Sequence, residues 1–155
     1  MKKFSVFVIL SLIILTHNHL CRDAYPEGSG PNSAAERERS QAKRPMAWDL
    51  GSGTVDVSKY PPDIQSYYKV FDKKCGNCHT LARPLNAPYA TPEEWNTYVN
   101  KMMRKPGAAM NKEQAKQIFK FLVYDSKVRK LSDPDAWERH LQSLIDRFQK
   151  QYGSK

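Results

Sequence analysis

Cysteine is scarce in this chain: Cys21, Cys75 and Cys78 are the only three among 155 residues. That is too few for the disulfide framework that staples many small exported domains. No strand–helix alternation surrounds Cys75 and Cys78, which excludes the βαβ setting of a thioredoxin-like dithiol. Histidine is limited to His17, His19, His79 and His140, so a zinc site lacks further ligands at suitable spacing. The apolar run over residues 4–15 is twelve residues long, too short to span a bilayer comfortably. Acidic residues number 16 against 25 Lys and Arg, a formal charge of +9. Such a balance suits acidic partners or an anionic membrane surface. Nucleic acid is set aside because the basic residues are scattered and no reader motif accompanies them.

What is present is Cys75-Gly76-Asn77-Cys78-His79. Two thiols separated by two residues can each form a thioether with a haem vinyl group, and the histidine that follows is then the proximal iron ligand. The motif therefore predicts one covalent haem c per chain, with Cys75 and Cys78 as anchors and His79 on the iron. A second Cys-x-x-Cys-His is absent, which argues against several haems wired within one chain.

The rest of the chain is read around that motif. Residues 1–21 resemble an export leader, with Lys2 and Lys3 before the apolar run. Cys21 also permits a lipid anchor, and an uncleaved anchor is the third alternative. Residues 22–58 are rich in Pro, Gly, Ser and alternating charge and read as a flexible polar linker. Trp48 within it is expected to pack on the domain surface or to mark a partner contact. Residues 59–127 form the main domain. Its first helix begins near Pro62, with Ile64, Tyr67, Tyr68 and Phe71 on one face leading to Cys75. Pro84 and Pro88 predict an irregular stretch after His79, and the carbonyl of one of them is the expected acceptor for the second ring nitrogen of His79. A second helix starts at Pro92, with Thr91 as cap and Glu94 completing a capping box. Trp95, Val99 and Met102 line its buried face, and Pro106-Gly107 ends it. A third helix opens at Asn111 with Gln114 three residues on, and buries Ala115, Ile118, Phe119, Leu122 and Val123. Residues 128–155 add a helix capped by Asp133, whose apolar face carries Trp137, Leu141, Leu144, Ile145 and Phe148. That face must dock on the domain itself or on a partner subunit.

A low-spin haem needs a second axial ligand opposite His79, and a thioether there raises the potential relative to a second imidazole. Met102 is the expected distal ligand, with Met103 as the alternative. Met110 is expected to staple the start of the third helix, and His140 to be a partly buried structural histidine.

Residues 60–125 resemble a single-haem, class I type cytochrome c domain of bacterial respiratory proteins. The resemblance rests on the Tyr68 and Phe71 helix, the Cys75-to-His79 motif, the Trp95, Val99, Met102 spacing and the closing helix with Ile118 and Leu122. It implies an all-α fold in which the first and last core helices cross near one haem edge, here with an additional C-terminal helix. It also implies a non-enzymatic electron carrier, periplasmic and either soluble or tethered by its N-terminus. Redox proteins with acidic docking surfaces are the expected partners, with Lys73, Lys74, Lys101 and Lys105 steering the encounter. Two alternatives stand beside it: a haem-bearing structural subunit of a membrane respiratory complex, and a haem sensor with a labile distal ligand.

Overall fold

The computed structural model describes residues 43–153 together with 36, 37 and 40. The leader expected over residues 1–21 lies outside the described residues. All described residues belong to one compact unit, Pro31–Lys155. Among them the regular structure is entirely helical, as the patterning predicts. None of these helices is long and apolar enough to cross a membrane.

Helix α1 spans Pro62–Cys75. Pro62 occupies its first position, where a missing N–H costs nothing. α2 is a single turn, Ala82–Leu85. It forms in the stretch where irregular chain is expected because Pro84 is its third residue, still among the positions whose N–H groups have no intrahelical partner. α3 spans Pro92–Met103 and opens with the expected capping box: Thr91 accepts from the Glu94 N–H, and Glu94 returns to the Thr91 N–H. It ends before Pro106, and Gly107, at φ 81°, supplies the left-handed residue in the turn to the next helix. α4 spans Lys112–Arg129 with Asn111 and Gln114 as reciprocal caps. α5 spans Pro134–Tyr152, capped by Asp133.

The core lies where α1 crosses α4. Phe121 sits 4.9 Å from Phe71 and 5.2 Å from Tyr68, ring to ring. α3 packs on the other side of α4, with Trp95 fully buried and its Nε1–H donating to Ser126 Oγ at 2.8 Å. This double clasp widens the buried arc of α4. Phe121, Asp125 and Ser126 join Ala115, Ile118 and Leu122 inside, while Phe119 and Val123, expected in the buried stripe, are only partly covered.

The segment before α1 departs furthest from expectation. The flexible linker assigned to 22–58 gives way by residue 47 to a 3-10 turn, Ala47–Leu50, that packs against both α2 and α5. Val55 and Val57 rest on the core. Burial of these few apolar groups, with the ion pair of Asp49 and Arg83 at 2.6 Å, orders a stretch whose composition is polar. α5 accordingly docks on its own chain, and α4 runs through the boundary expected between residues 127 and 128. The junction combines the buried Leu141 and Leu144 of α5 with a set of polar groups. His140 Nε2 lies 3.1 Å from Asn86 Oδ1, and the Asn86 amide donates to Ala82 O and Ser52 O at 2.7 and 2.9 Å. Gly51 is obligatory beside it, since a Cβ there would lie 2.3 Å from Asn86 Cγ. Lys130 is also buried here, donating to Ala87 O and Tyr89 O at 2.7 and 2.8 Å, with its ammonium 4.8 Å and 4.9 Å from the Trp95 and Trp137 ring centres.

Candidate functional site

Cys75 is the last residue of α1, and Gly76 caps the helix by returning its N–H to Asp72 O. The helix thus delivers Cys75 to the domain interior and releases Cys78 into the following turn. Both thiols are free. Cys75 packs against the buried cluster, and burial pushes its thiol up to about 12, with Cys78 contributing. Cys78 is exposed. The same turn therefore holds one protected and one accessible sulfur.

His79 is partly buried, and burial lowers its pKa, favouring the neutral ring. Its Nδ1 lies 2.9 Å from Thr80 O. A carbonyl only accepts, so Nδ1 carries the hydrogen and Nε2 keeps its lone pair. This is the second-nitrogen bond that orients a metal-ligating histidine, but its acceptor is Thr80 and not Pro84 or Pro88. The short α2 explains the difference: its turn takes Pro84 O as acceptor for the Ala87 N–H at 3.3 Å. A cleft of about 300 Å³ opens beside the imidazole, lined by Lys43, Pro45, Asp49, Cys78, His79, Thr80 and Arg83. Asp49 accepts from Thr80 Oγ1 at 2.8 Å and from Arg83 Nε and Nη2 at 3.1 and 2.6 Å. Burial alone would raise the Asp49 pKa, but Arg83, the Met46 N–H and Thr80 outweigh it and hold the carboxyl below its ordinary value.

On the α3 side, Tyr98 packs edge-on against Trp95 at 5.6 Å and tilts against Tyr89 at 5.5 Å. Its hydroxyl is buried with no partner among the described residues. Burial raises its pKa, and the neighbouring Cys75 raises it further. An orphaned phenol beside Cys75 is the kind of buried polar atom that a further group completes. The donor set fits haem c on the same residues: two sulfurs, an imidazole with Nε2 free, and an unspent hydroxyl. Zinc is poorly served, because among the described residues no three His, Cys, Asp or Glu side chains are grouped to hold a metal ion.

The two adjacent methionines differ in their contacts. Met103, one turn after Val99, packs on the core and lines a groove of about 320 Å³ with Val99, Ala115 and Phe119. Met102 keeps the helical spacing of Trp95 and Val99 but is not among the residues packed on the core. It is half-buried, outside that cluster, and one turn beyond Tyr98, whose phenol neighbours Cys75. Met110 packs on the core. His140 is spent on Asn86. Of the lysines expected to steer partners, Lys73 and Lys101 are exposed, whereas Lys74 donates to Ala109 O at 2.6 Å.

Sequence reasoning missed Asp49 and Arg83, whose pairing spans more than thirty residues and leaves no local pattern. It placed Tyr98 only beside the buried face of α3. No protein-family model, curated protein or solved structure matches the chain, so the site is judged on the residues that compose it.

Proposed function

We propose that the chain is a mono-haem c-type cytochrome that carries single electrons between respiratory partners outside the cytoplasm. The observation that carries this reading is the Cys75-to-His79 motif, with its imidazole bonded through Nδ1 to a carbonyl and its Nε2 lone pair unspent. Cys75 and Cys78 would hold the haem covalently, His79 would be the proximal ligand and Met102 the distal one. Bound there, haem supplies an iron that accepts and returns one electron. Met102 is preferred to Met103 because the contacts of Met103 are committed to the core. The Tyr98 hydroxyl offers a donor next to the first anchor, and the aromatic wall of Tyr89, Trp95 and Tyr98 excludes water from that side. Exposed Lys73 and Lys101 suit a transient acidic partner, whose association would weaken with salt. The reading includes no bond-making chemistry by the protein. In the alternative of a fixed subunit α5 would serve as the interface; one face of it rests on Ala47–Leu50 of its own chain.

The test is a pyridine haemochrome spectrum of protein matured in a host competent for haem attachment, with Met102→Ala and Met103→Ala beside it. Covalent haem is expected in all three, with loss of the Met-to-iron absorption band in Met102→Ala alone. Colourless protein, or pigment released into acidified acetone, would sink the reading.

A further inference from the structure

Asp49 is costly to place. It stands in a polar segment whose composition promises no order, yet it is half-buried and every lone-pair direction of its carboxylate is used. Four donors converge on it: Thr80 Oγ1, Arg83 Nε, Arg83 Nη2 and the Met46 N–H at 2.9 Å. Arg83 alone, which also donates to Arg44 O at 2.8 Å, would clip the segment to α2. The bond to Thr80 adds something that clip does not need. It ties down the one residue whose carbonyl receives the Nδ1 hydrogen of His79. Behind Asp49 the Ala47–Leu50 turn is backed by α5, and Asn86 joins Ser52 O to His140 on that helix. α5 thus lies against the turn that carries Asp49, and from Asp49 hydrogen bonds lead through Thr80 to the imidazole.

We propose that Asp49 is the positioning residue of His79: through the Thr80 hydroxyl it holds the Thr80 carbonyl on Nδ1, and α5 buttresses it from behind. The proposal rests on the reading of His79 as an iron ligand. It gives residues 43–59 and α5 one shared task. A firmly held acceptor at Nδ1 makes the imidazole a stronger donor at Nε2, which stabilises the oxidised iron. Loosening the acceptor favours the reduced form.

The experiment uses the full haem-loaded chain and three variants. Thr80→Val removes the hydroxyl but leaves the Asp49–Arg83 pair, Asp49→Asn keeps shape with fewer acceptor sites, and Asp49→Ala removes both links. Covalent haem is quantified first, then the reduced-to-oxidised ratio is read at a fixed ambient potential. Thr80→Val and Asp49→Ala are expected to raise that ratio in parallel by about tenfold, equivalent to 59 mV for one electron, with Asp49→Asn between them and the parent. Should Asp49→Ala fail to fold, Thr80→Val decides alone. A pigmented parent whose folded variants stay within about twofold of it overturns the role of Asp49 and leaves the haem reading standing. A colourless parent overturns both.

Discussion

Where α1 crosses α4, the partners are Phe71, Tyr68 and Phe121, rings packed on rings with no polar atom required at the contact. Where α5 meets Ala47–Leu50 and the loop around Ala87, an imidazole, a carboxamide and a buried ammonium stand beside the buried Leu141 and Leu144. The two regions respond differently to change. Apolar packing is roughly proportional to buried area and degrades in steps as volume is lost. A polar junction depends on individual atoms, since each one left unpaired bears a desolvation cost.

The largest effect is expected in the apolar region. Phe121→Ala should lose about 3–5 kcal/mol in urea unfolding, and a loss below about 1 kcal/mol would mean that the crossing is not the main source of stability. In the polar region the sharpest test is pH. Burial lowers the Lys130 pKa from 10.5 to about 7, with Arg129 adding repulsion, while its two carbonyl acceptors and two indole faces favour the proton. The unfolded chain therefore binds more protons between about pH 7 and 10.5, and stability should rise with pH across that window. Urea midpoints of the full chain and of Lys130→Met, compared from about pH 6 to 10, should differ in slope, the variant lacking the rise that Lys130 contributes. Parallel curves would show that the ammonium is fully stabilised where it sits. Gly51→Ala should cost about 1–3 kcal/mol by forcing the new methyl against Asn86. Adding Asn86→Ala should give a total smaller than the sum of the two single losses; additivity would place the strain elsewhere. The smallest change is Asn111→Ala, a loss of about 1 kcal/mol from one helix cap, read as a shift in the thermal midpoint.

The same contrast explains what was legible in the sequence. Caps at Thr91, Asn111 and Asp133, with prolines at 62, 92 and 134, mark helix starts through local chemistry, and the structure places α1, α3, α4 and α5 there. Periodicity found Ala115, Ile118 and Leu122 of the α4 stripe but missed Phe121, Asp125 and Ser126, because a helix clasped from two sides buries more than one face. Spacing alone does not separate the contacts of the adjacent methionines: Met103 packs on the core, while Met102, one turn past Tyr98, is half-buried outside that cluster. The Cys75-to-His79 motif is legible as chemistry because all its parts are adjacent. Its surroundings are not: the Thr80 acceptor needs the backbone path of α2, and Asp49 meets Thr80 and Arg83 from more than thirty residues away. Residues 43–58 look like linker because composition records average hydrophobicity, not whether a particular carboxylate finds a guanidinium.

The Asn86 carboxamide has one further consequence. Its nitrogen faces the carbonyls of Trp48, Ser52 and Ala82, so its oxygen must face His140, and that imidazole must carry its hydrogen on Nε2. His79 carries its hydrogen on Nδ1. The two described histidines are thus locked as opposite tautomers by neutral backbone and amide groups, and of the pair His79 alone keeps Nε2 available to an electrophile. Chemical selectivity between two identical side chains is written into the fold.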